Sequence, residues 1–294
     1  MTANPSLSWD LVRDVRELLA FPFMVNALQA GAIVAVLAAS VGWYVVQRRQ
    51  SFAAHTLAVM AFPGAAGAAL AGLPVALGYY LACGLAALVM GAGRRAGTHA
   101  EPGESAAIGT VQAAGLAAGF VFLALDRGVL GDLESLLFGT FLGVTRAQVL
   151  TLLLVAAAVL AALALVARPL LYSTLDPHGA QARGVPVRAL DLGFLLALGL
   201  AVAATSQITG ALLVFALLVA PAAGAQALTA RPALGLALSV AIALLVVWLG
   251  LALAYFSIYP VGFFTTSLAF GVYLLARLAR GGARRRGART AAVT

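Results

Sequence analysis

Very few residues that can carry charge or bind a cation lie in the long apolar stretches of this chain. Burying a charge at membrane depth costs about 2.5–3.5 kcal/mol even on lenient scales, so such residues usually mark a transport pathway. A proton-coupled secondary transporter usually has an intramembrane carboxylate. The scarcity of carboxylates counts against that class, although Asp191 beside the inner boundary keeps it open. The candidates at or near membrane depth are His55, Gln112, Asp191, Gln207 and Gln226, with Asp126, Asp132 and Glu134 at the outer edge.

The other reactive side chains argue against thiolate and nucleotide chemistry. Cys83 is the single cysteine and lies in an apolar run, so it forms neither an internal disulfide nor a thiolate metal site, and packing is its expected role. His99 and His178 lie in polar loops and are expected to be solvated. All 18 basic residues are arginine. A P-loop needs a lysine to reach the terminal phosphates, so any ATPase that drives this protein is a separate chain.

Apolar helices position these residues. The chain of 294 residues is 63% hydrophobic and 10% charged, with a mean hydropathy of +1.03, whereas soluble domains are roughly 45–50% apolar and 25% charged. In lipid, backbone polar groups must be satisfied within helices of about 20 residues. The sequence therefore predicts an all-α, polytopic membrane bundle with eight or nine transmembrane helices, at residues 25–46, 56–73, 75–90, 106–125, 149–166, 190–204, 210–228, 233–255 and 261–276.

Two segments flank the transmembrane domain of residues 25–280. In the amino-terminal segment, residues 1–24, positions 9–20 alternate apolar and charged residues at helical spacing, which is typical of an interfacial helix. A frayed extension is the alternative. The basic tail, residues 281–294, has no apolar face and is predicted to be disordered and held near anionic membrane lipid by its arginines.

The arginine clusters predict the orientation, because positive charge in short loops marks the cytoplasmic side. With the tail inside, residues 173–188 are also inside, and residues 126–134 and 257–260 are outside. Nine spans place the amino terminus outside, and eight place it inside. The net charge of +8 reflects this orientation and attraction to anionic lipid, so no nucleic-acid partner is expected.

Small residues and prolines shape the predicted helices. Glycine, with 31 residues, and alanine are abundant and recur three or four residues apart, for example at Gly64 and Gly67, which allows helices to approach closely. Packing is the expected role of most of them. Pro63, Pro74 and Pro221 lie inside or between apolar runs, where proline breaks or kinks a helix.

Five patterns in one order give the chain a resemblance to a known family. The stretch from Trp43 through His55 to Phe62-Pro-Gly64 resembles the first inner loop and second span of the zinc and manganese type ABC transporter permeases. The similarity continues in order from about residue 25 to 280. The later patterns are ESAAIG at 104–109, DLESLLFGTFLGVT at 132–145, the inner loop at 176–187, and GALLVFALLVAPAAGA at 210–225.

The resemblance implies a type II ABC importer permease in a multi-pass arrangement in the bacterial plasma membrane. In such a transporter, two copies of the permease form a homodimer that binds two cytosolic ATP-binding subunits. An extracytoplasmic metal-binding protein delivers the ion. The permease itself is then not an enzyme and needs no cofactor, because it supplies translocation while its partner hydrolyses ATP.

The resemblance also assigns a role to the polar loop at residues 173–188, which lies between two apolar runs. It implies a short cytoplasmic helix that docks in a groove on the ATPase and transmits its closure to the bundle. A plain solvated connector is the alternative. The residues expected to carry the coupling are Asp176, Pro177, His178, Gly179, Ala180, Gln181, Arg183 and Gly184.

The chain departs from the family at its metal ligands. The family usually has Asp followed by His four residues later in the second span, so that both side chains share one helical face. Here those positions are His55 and Val59, and Tyr259 stands where the family often has Asp before Pro-x-Gly. The ligand set is reduced to His55, which is a candidate metal ligand or a structural hydrogen-bonding residue.

The leading hypothesis is the membrane subunit of an ATP-driven importer of divalent transition metal ions such as zinc or manganese, working by alternating access. One imidazole cannot by itself fix the choice of ion. A secondary transporter or channel acting without an ATPase is the second hypothesis. An importer of a metal chelate or vitamin is the third, and it would need a wider and more aromatic cavity.

Overall fold

The computed structural model describes residues 11–92, 102–125, 139 and 141–291. Over this part of the chain the regular elements are helices, joined by short turns, with one 3-10 turn at Phe141–Gly143. The α-helices are α1 Leu11–Ala20, α2 Pro22–Gln47, α3 Ser51–Leu70, α4 Val75–Ala92, α5 Pro102–Leu125, α6 Arg146–Leu175, α7 Pro177–Ala182, α8 Val187–Thr209, α9 Ala211–Leu228, α10 Pro232–Tyr255 and α11 Val261–Ala291.

The helices confirm the predicted membrane bundle. Eight helices of the described part are long and apolar enough to cross a bilayer, namely α2 to α6, α8, α10 and α11, and α9 contributes a shorter apolar helix. Local sequence explains several ends. Pro22 and Pro232 begin α2 and α10, where a missing N–H costs nothing. Thr145 begins α6 with a capping box, because its hydroxyl accepts from the Gln148 N–H while the Gln148 side chain accepts from the Thr145 N–H.

Two helices, α2 and α9, form the centre of the bundle. Helix α9 packs on α2, α3, α8, α10 and α11, while α2 also packs on α6, α8 and α10. Around this centre, α4 and α5 pack on α3, and α4 also packs on α8. Helices α2 and α9 touch through the backbone, since a Cβ at Gly42 would lie 1.9 Å from the carbonyl oxygen of Leu218. The predicted packing role of glycine therefore applies at this contact.

The outer helices present large apolar side chains away from the protein. Leu165 of α6 is 84% exposed and Phe120 of α5 is 59% exposed. Exposed apolar faces of this kind suit hydrocarbon or another subunit.

Two prolines and the two terminal helices were the subject of predictions from the sequence. Pro63 and Pro221 do not break their helices, because α3 and α9 continue through them. Helix α1 forms within the predicted interfacial stretch, but its position on a membrane stays a prediction. The final helix α11 continues to Ala291, into the tail that the sequence predicts to be disordered. Its alanines and arginines are good helix formers, which accounts for the continuation.

Candidate translocation site and coupling surface

His55 lies one turn into α3, at the contact between α3 and α9. Its ring packs edge to face on Phe215 of α9, with 4.9 Å between the ring centroids. The side chain is partly buried. Its Nδ1 atom is buried and has no hydrogen-bond partner in the described part of the chain. An imidazole nitrogen without a hydrogen-bond partner is a candidate ligand for a borderline metal ion.

The other polar residues singled out at membrane depth are engaged in hydrogen bonds between or within helices. Gln112 of α5 accepts a hydrogen bond of 2.8 Å from the hydroxyl of Thr56. Gln226 of α9 donates to the carbonyl of Trp43 at 3.0 Å. Gln207 donates to the carbonyl of Ala203, four residues earlier in α8, at 3.0 Å. Each of these partly buried amides is thus held by a hydrogen bond within the bundle, as is usual for polar groups inside a protein.

Asp191 is paired rather than free. Its carboxylate forms a salt bridge with Arg48 at the end of α2, and the two side chains are 14% and 7% exposed. Asp126, Asp132, Glu134 and His99 lie outside the described residues.

Potential metal ligands are sparse in the described part of the chain. No group of three or more His, Cys, Asp or Glu residues capable of holding an ion occurs there. Cys83 is buried, with its thiol 3.4 Å from the carbonyl of Leu57. An apolar groove of about 480 Å³ between α3, α4 and α5 has no carboxylate, imidazole or thiol in its lining. His55 is therefore the candidate ligand that the geometry favours, and Tyr259, 58% exposed, packs on Phe263 instead.

The predicted coupling loop contains a helix, α7, that is capped at both ends. Asp176 is its N-cap and accepts a hydrogen bond of 2.8 Å from the Gly179 N–H. Pro177 takes the first helical position. At the other end the N–H groups of Gly184 and Val185 donate to the carbonyls of Gln181 and Ala180, with Gly184 at a φ of +77°. This arrangement is a Schellman motif.

One side of α7 faces the bundle and the other faces outward. Ala180 is fully buried, while His178, Gln181 and Arg183 are exposed. The Arg183 guanidinium lies 5.4 Å above the ring of Tyr172 at the end of α6. The loop thus contains a short helix, capped at both ends, with an exposed polar face.

Sequence reasoning missed the contacts of Arg48. The arginine clusters, to which Arg48 belongs, entered only the prediction of membrane orientation, and Asp191 was treated as a carboxylate beside the inner boundary. In the structure Arg48 also donates a hydrogen bond of 2.9 Å to the Thr174 hydroxyl. Opposite charges at the inner ends of two predicted spans were the available signal, but their sequence separation gave no reason to pair them.

The fold is that of a multi-pass helical membrane protein. The model of the ABC 3 transport family matches residues 20–280. The chain belongs to the ABC 3 transport family, which confirms the resemblance to metal-ion ABC permeases and the placement in the bacterial plasma membrane.

The chain matches individual relatives over most of their length. The chain is 32% identical over 215 residues, 73% of each chain, to the manganese transport system membrane protein MntC of Halalkalibacterium halodurans. It is 31% identical over 219 residues, again 73% of each chain, to the chelated iron transport system membrane protein YfeC of Yersinia pestis. A solved structure of PsaBC from Streptococcus pneumoniae in complex with Fab matches with a TM-score of 0.79 and 25% identity, covering 90% of this chain and 95% of that one.

Proposed function

We propose that this chain is the translocating subunit of an ATP-driven importer of a divalent transition metal ion, and that the ion passes along His55. The observation that carries the proposal is the Nδ1 atom of His55, buried without a partner at the contact of α3 with α9. The membership in the ABC 3 transport family supports the transport class.

A single imidazole is chemically suited to transfer rather than storage. An ion must be held strongly enough to enter a pathway and weakly enough to leave it. One imidazole nitrogen, which suits zinc and iron and binds the harder Mn²⁺ more weakly, meets that requirement better than a full cage of carboxylates does. Selection of the ion is then the task of a separate metal-binding protein outside the cell. Zinc rests on the resemblance alone, whereas the names of relatives support manganese and iron.

Phe215 gates the imidazole in this proposal. In the described conformation its ring covers one side of His55. An ion reaches Nδ1 after α3 and α9 move apart, which is the kind of change that alternating access requires. Energy for that movement comes from a cytosolic ATP-binding subunit bound to the exposed face of α7, and two copies of the permease form the transporter.

The experiment is metal uptake by proteoliposomes that hold the permease with its cognate ATPase. We expect uptake of radioactive Mn²⁺ that depends on ATP. His55→Ala should lower it by about tenfold or more, the scale on which disturbed metal sites lose affinity or activity. His99→Ala is the matched control and should leave uptake unchanged.

Two results would overturn parts of the proposal. Unchanged uptake by His55→Ala removes His55 from the pathway. Concentration of the ion by the permease alone, without an ATPase, makes it a secondary transporter.

A second candidate function is import of a chelated metal, which the chelated-iron relatives favour. The same vesicles distinguish the two. Import of free Mn²⁺ is suppressed by excess strong chelator, whereas import of a preformed chelate is not.

A further inference from the structure

The guanidinium of Arg48, at the end of α2, lies between three helices. It pairs with Asp191 of α8 and donates a hydrogen bond of 2.9 Å to Thr174 of α6. It also lies 5.2 Å from the centre of the Phe194 ring. The Arg48 side chain is only 7% exposed. A planar fork of N–H donors can make such contacts in several directions at once.

Thr174 and Asp191 lie on the two helices that flank the coupling helix. Thr174 is the next-to-last residue of α6, and Asp191 lies in the first turns of α8. Only the short segment that contains α7 separates these two helices. The Arg48 side chain at the end of α2 therefore contacts both of the helices that α7 connects.

The coupling helix cannot easily move independently of these two helices. Its ends are closed by the Asp176 cap and the Schellman motif, and Arg183 packs on Tyr172 of α6. Ala180 is fully buried. A displacement of α7 is therefore transmitted to the end of α6 and the start of α8.

Away from Arg48, α2 is held against α9 and α10. Gly42 contacts the backbone of Leu218 in α9, and Gln226 of α9 donates to the Trp43 carbonyl. Ser239 of α10 donates to the Ala39 carbonyl at 3.2 Å. Helix α9 also carries Phe215, which covers His55. Polar and backbone contacts thus run from the end of α2 to the helix beside the candidate ligand.

We propose that Arg48 is a positioning residue that joins α7 to α2 through Thr174 and Asp191, so that displacement of α7 by the ATPase moves α2 and α9. The proposal rests on the proposed function. It adds the specific contact through which the energy of ATP reaches the pathway.

The most informative variant removes the Arg48–Asp191 ion pair without leaving a buried charge. Truncating one member of a buried ion pair is strongly destabilising, whereas replacing both members by apolar residues is often neutral. The double variant Arg48→Met with Asp191→Leu should fold, assemble with the ATPase and hydrolyse ATP. Arg48→Lys keeps the positive charge but loses the planar guanidinium, which donates hydrogen bonds in several directions. Arg49→Asn is the matched control, because Arg49 is exposed at a φ of 55°, a conformation that Asn tolerates.

The measured quantity is the number of ions imported per ATP hydrolysed by proteoliposomes. We expect the double variant to lower it about two- to thirtyfold, the range that mutations along coupled contacts produce. Arg48→Lys should fall between the double variant and the wild type, and Arg49→Asn should match the wild type. Co-purification of the ATPase and thermal stability of the double variant should stay at wild-type values.

Each outcome has a defined meaning. A double variant that assembles and imports with the wild-type ratio overturns the role of Arg48 while leaving the proposed function intact. If the double variant fails to assemble but Arg48→Lys imports with the wild-type ratio, the role of Arg48 is also overturned, because the guanidinium is then dispensable. A wild-type complex without ATP-dependent import overturns both proposals.

Discussion

Gly64 of α3 and Gly78 of α4 face each other across a contact that has no room for a side chain. A Cβ at Gly64 would lie 2.3 Å from the Gly78 carbonyl oxygen, and a Cβ at Gly78 would lie 2.1 Å from the Gly64 carbonyl oxygen. In a bilayer, close backbone approach of this kind replaces the hydrophobic effect as the source of helix association.

Substituting either glycine by alanine should separate α3 from α4. Because the clash is with backbone, we expect Gly64→Ala and Gly78→Ala each to destabilise the protein by about 1–3 kcal/mol, the usual cost of overpacking. The measurement is the temperature at which the detergent-solubilised protein no longer elutes as a monodisperse peak in size-exclusion chromatography.

Gly84→Ala is the matched control on α4, where a new Cβ would meet no atom within 4 Å. It should leave stability unchanged or raise it by up to about 1 kcal/mol, because alanine is the better helix former. Equal losses at Gly84 and Gly78 would contradict the close contact.

The Asp176 cap should set the rigidity of α7. Asp176→Ala removes the acceptor of the Gly179 N–H and should cost about 0.5–2 kcal/mol of local helix stability. Faster hydrogen exchange of the backbone amides at 177–182 and fewer ions imported per ATP are the expected readouts.

Asp176→Asn separates capping from charge, since Asn caps as well as Asp does. It should keep both the slow exchange and the transport ratio. Gly179→Ala should resemble Asp176→Ala, because its Cβ would lie 2.0 Å from the Asp176 Oδ2 atom. If Asp176→Asn behaves like Asp176→Ala, the charge rather than the cap matters.

Cys83 should report on the integrity of the bundle. Its side chain is 0% exposed and belongs to the core. A membrane-permeant maleimide should therefore leave the native protein unlabelled and attach once per chain after denaturation. Gln181→Cys in a Cys83→Ala background is the positive control, because Gln181 is exposed on α7. Rapid labelling of native Cys83 would mean that α3 and α4 separate readily.

The hydrogen bond between Thr56 and Gln112 should fasten α5 to α3. A double-mutant cycle with Thr56→Val and Gln112→Leu isolates it, and we expect a coupling energy of about 0.6 kcal/mol, the average for such bonds between membrane helices. The cycle is read from unfolding in mixed detergent micelles. A coupling energy of zero would show that the bond does not hold α5 in place.

The positions of the helices were predictable because hydropathy is a local property of the sequence. The prediction for 149–166 falls within α6, yet α6 runs from Arg146 to Leu175. Hydropathy detects the part that tolerates lipid, whereas backbone hydrogen bonds extend a helix beyond the membrane until a cap such as Asp176 ends it. The same limit explains why residues 281–291 were predicted as disordered although α11 reaches Ala291.

The candidate site was predictable only in part. His55 stood out because histidine is rare in apolar runs. It could not be separated by sequence from Gln112, Gln207 and Gln226, because all four are polar residues predicted at or near membrane depth. Their hydrogen bonds to other atoms, seen in the structure, leave the Nδ1 atom of His55 as the unpartnered candidate among them.

By itself the sequence determined that the chain is a helical membrane bundle, that it has no P-loop lysine, and that a polar segment at residues 173–188 separates two spans. The tertiary structure alone decided that Arg48 meets Asp191 and Thr174, and that Phe215 covers His55. The physical reason is that hydropathy and capping act over a few neighbouring residues. Ion pairs and ring contacts instead depend on how helices distant in the chain pack against one another.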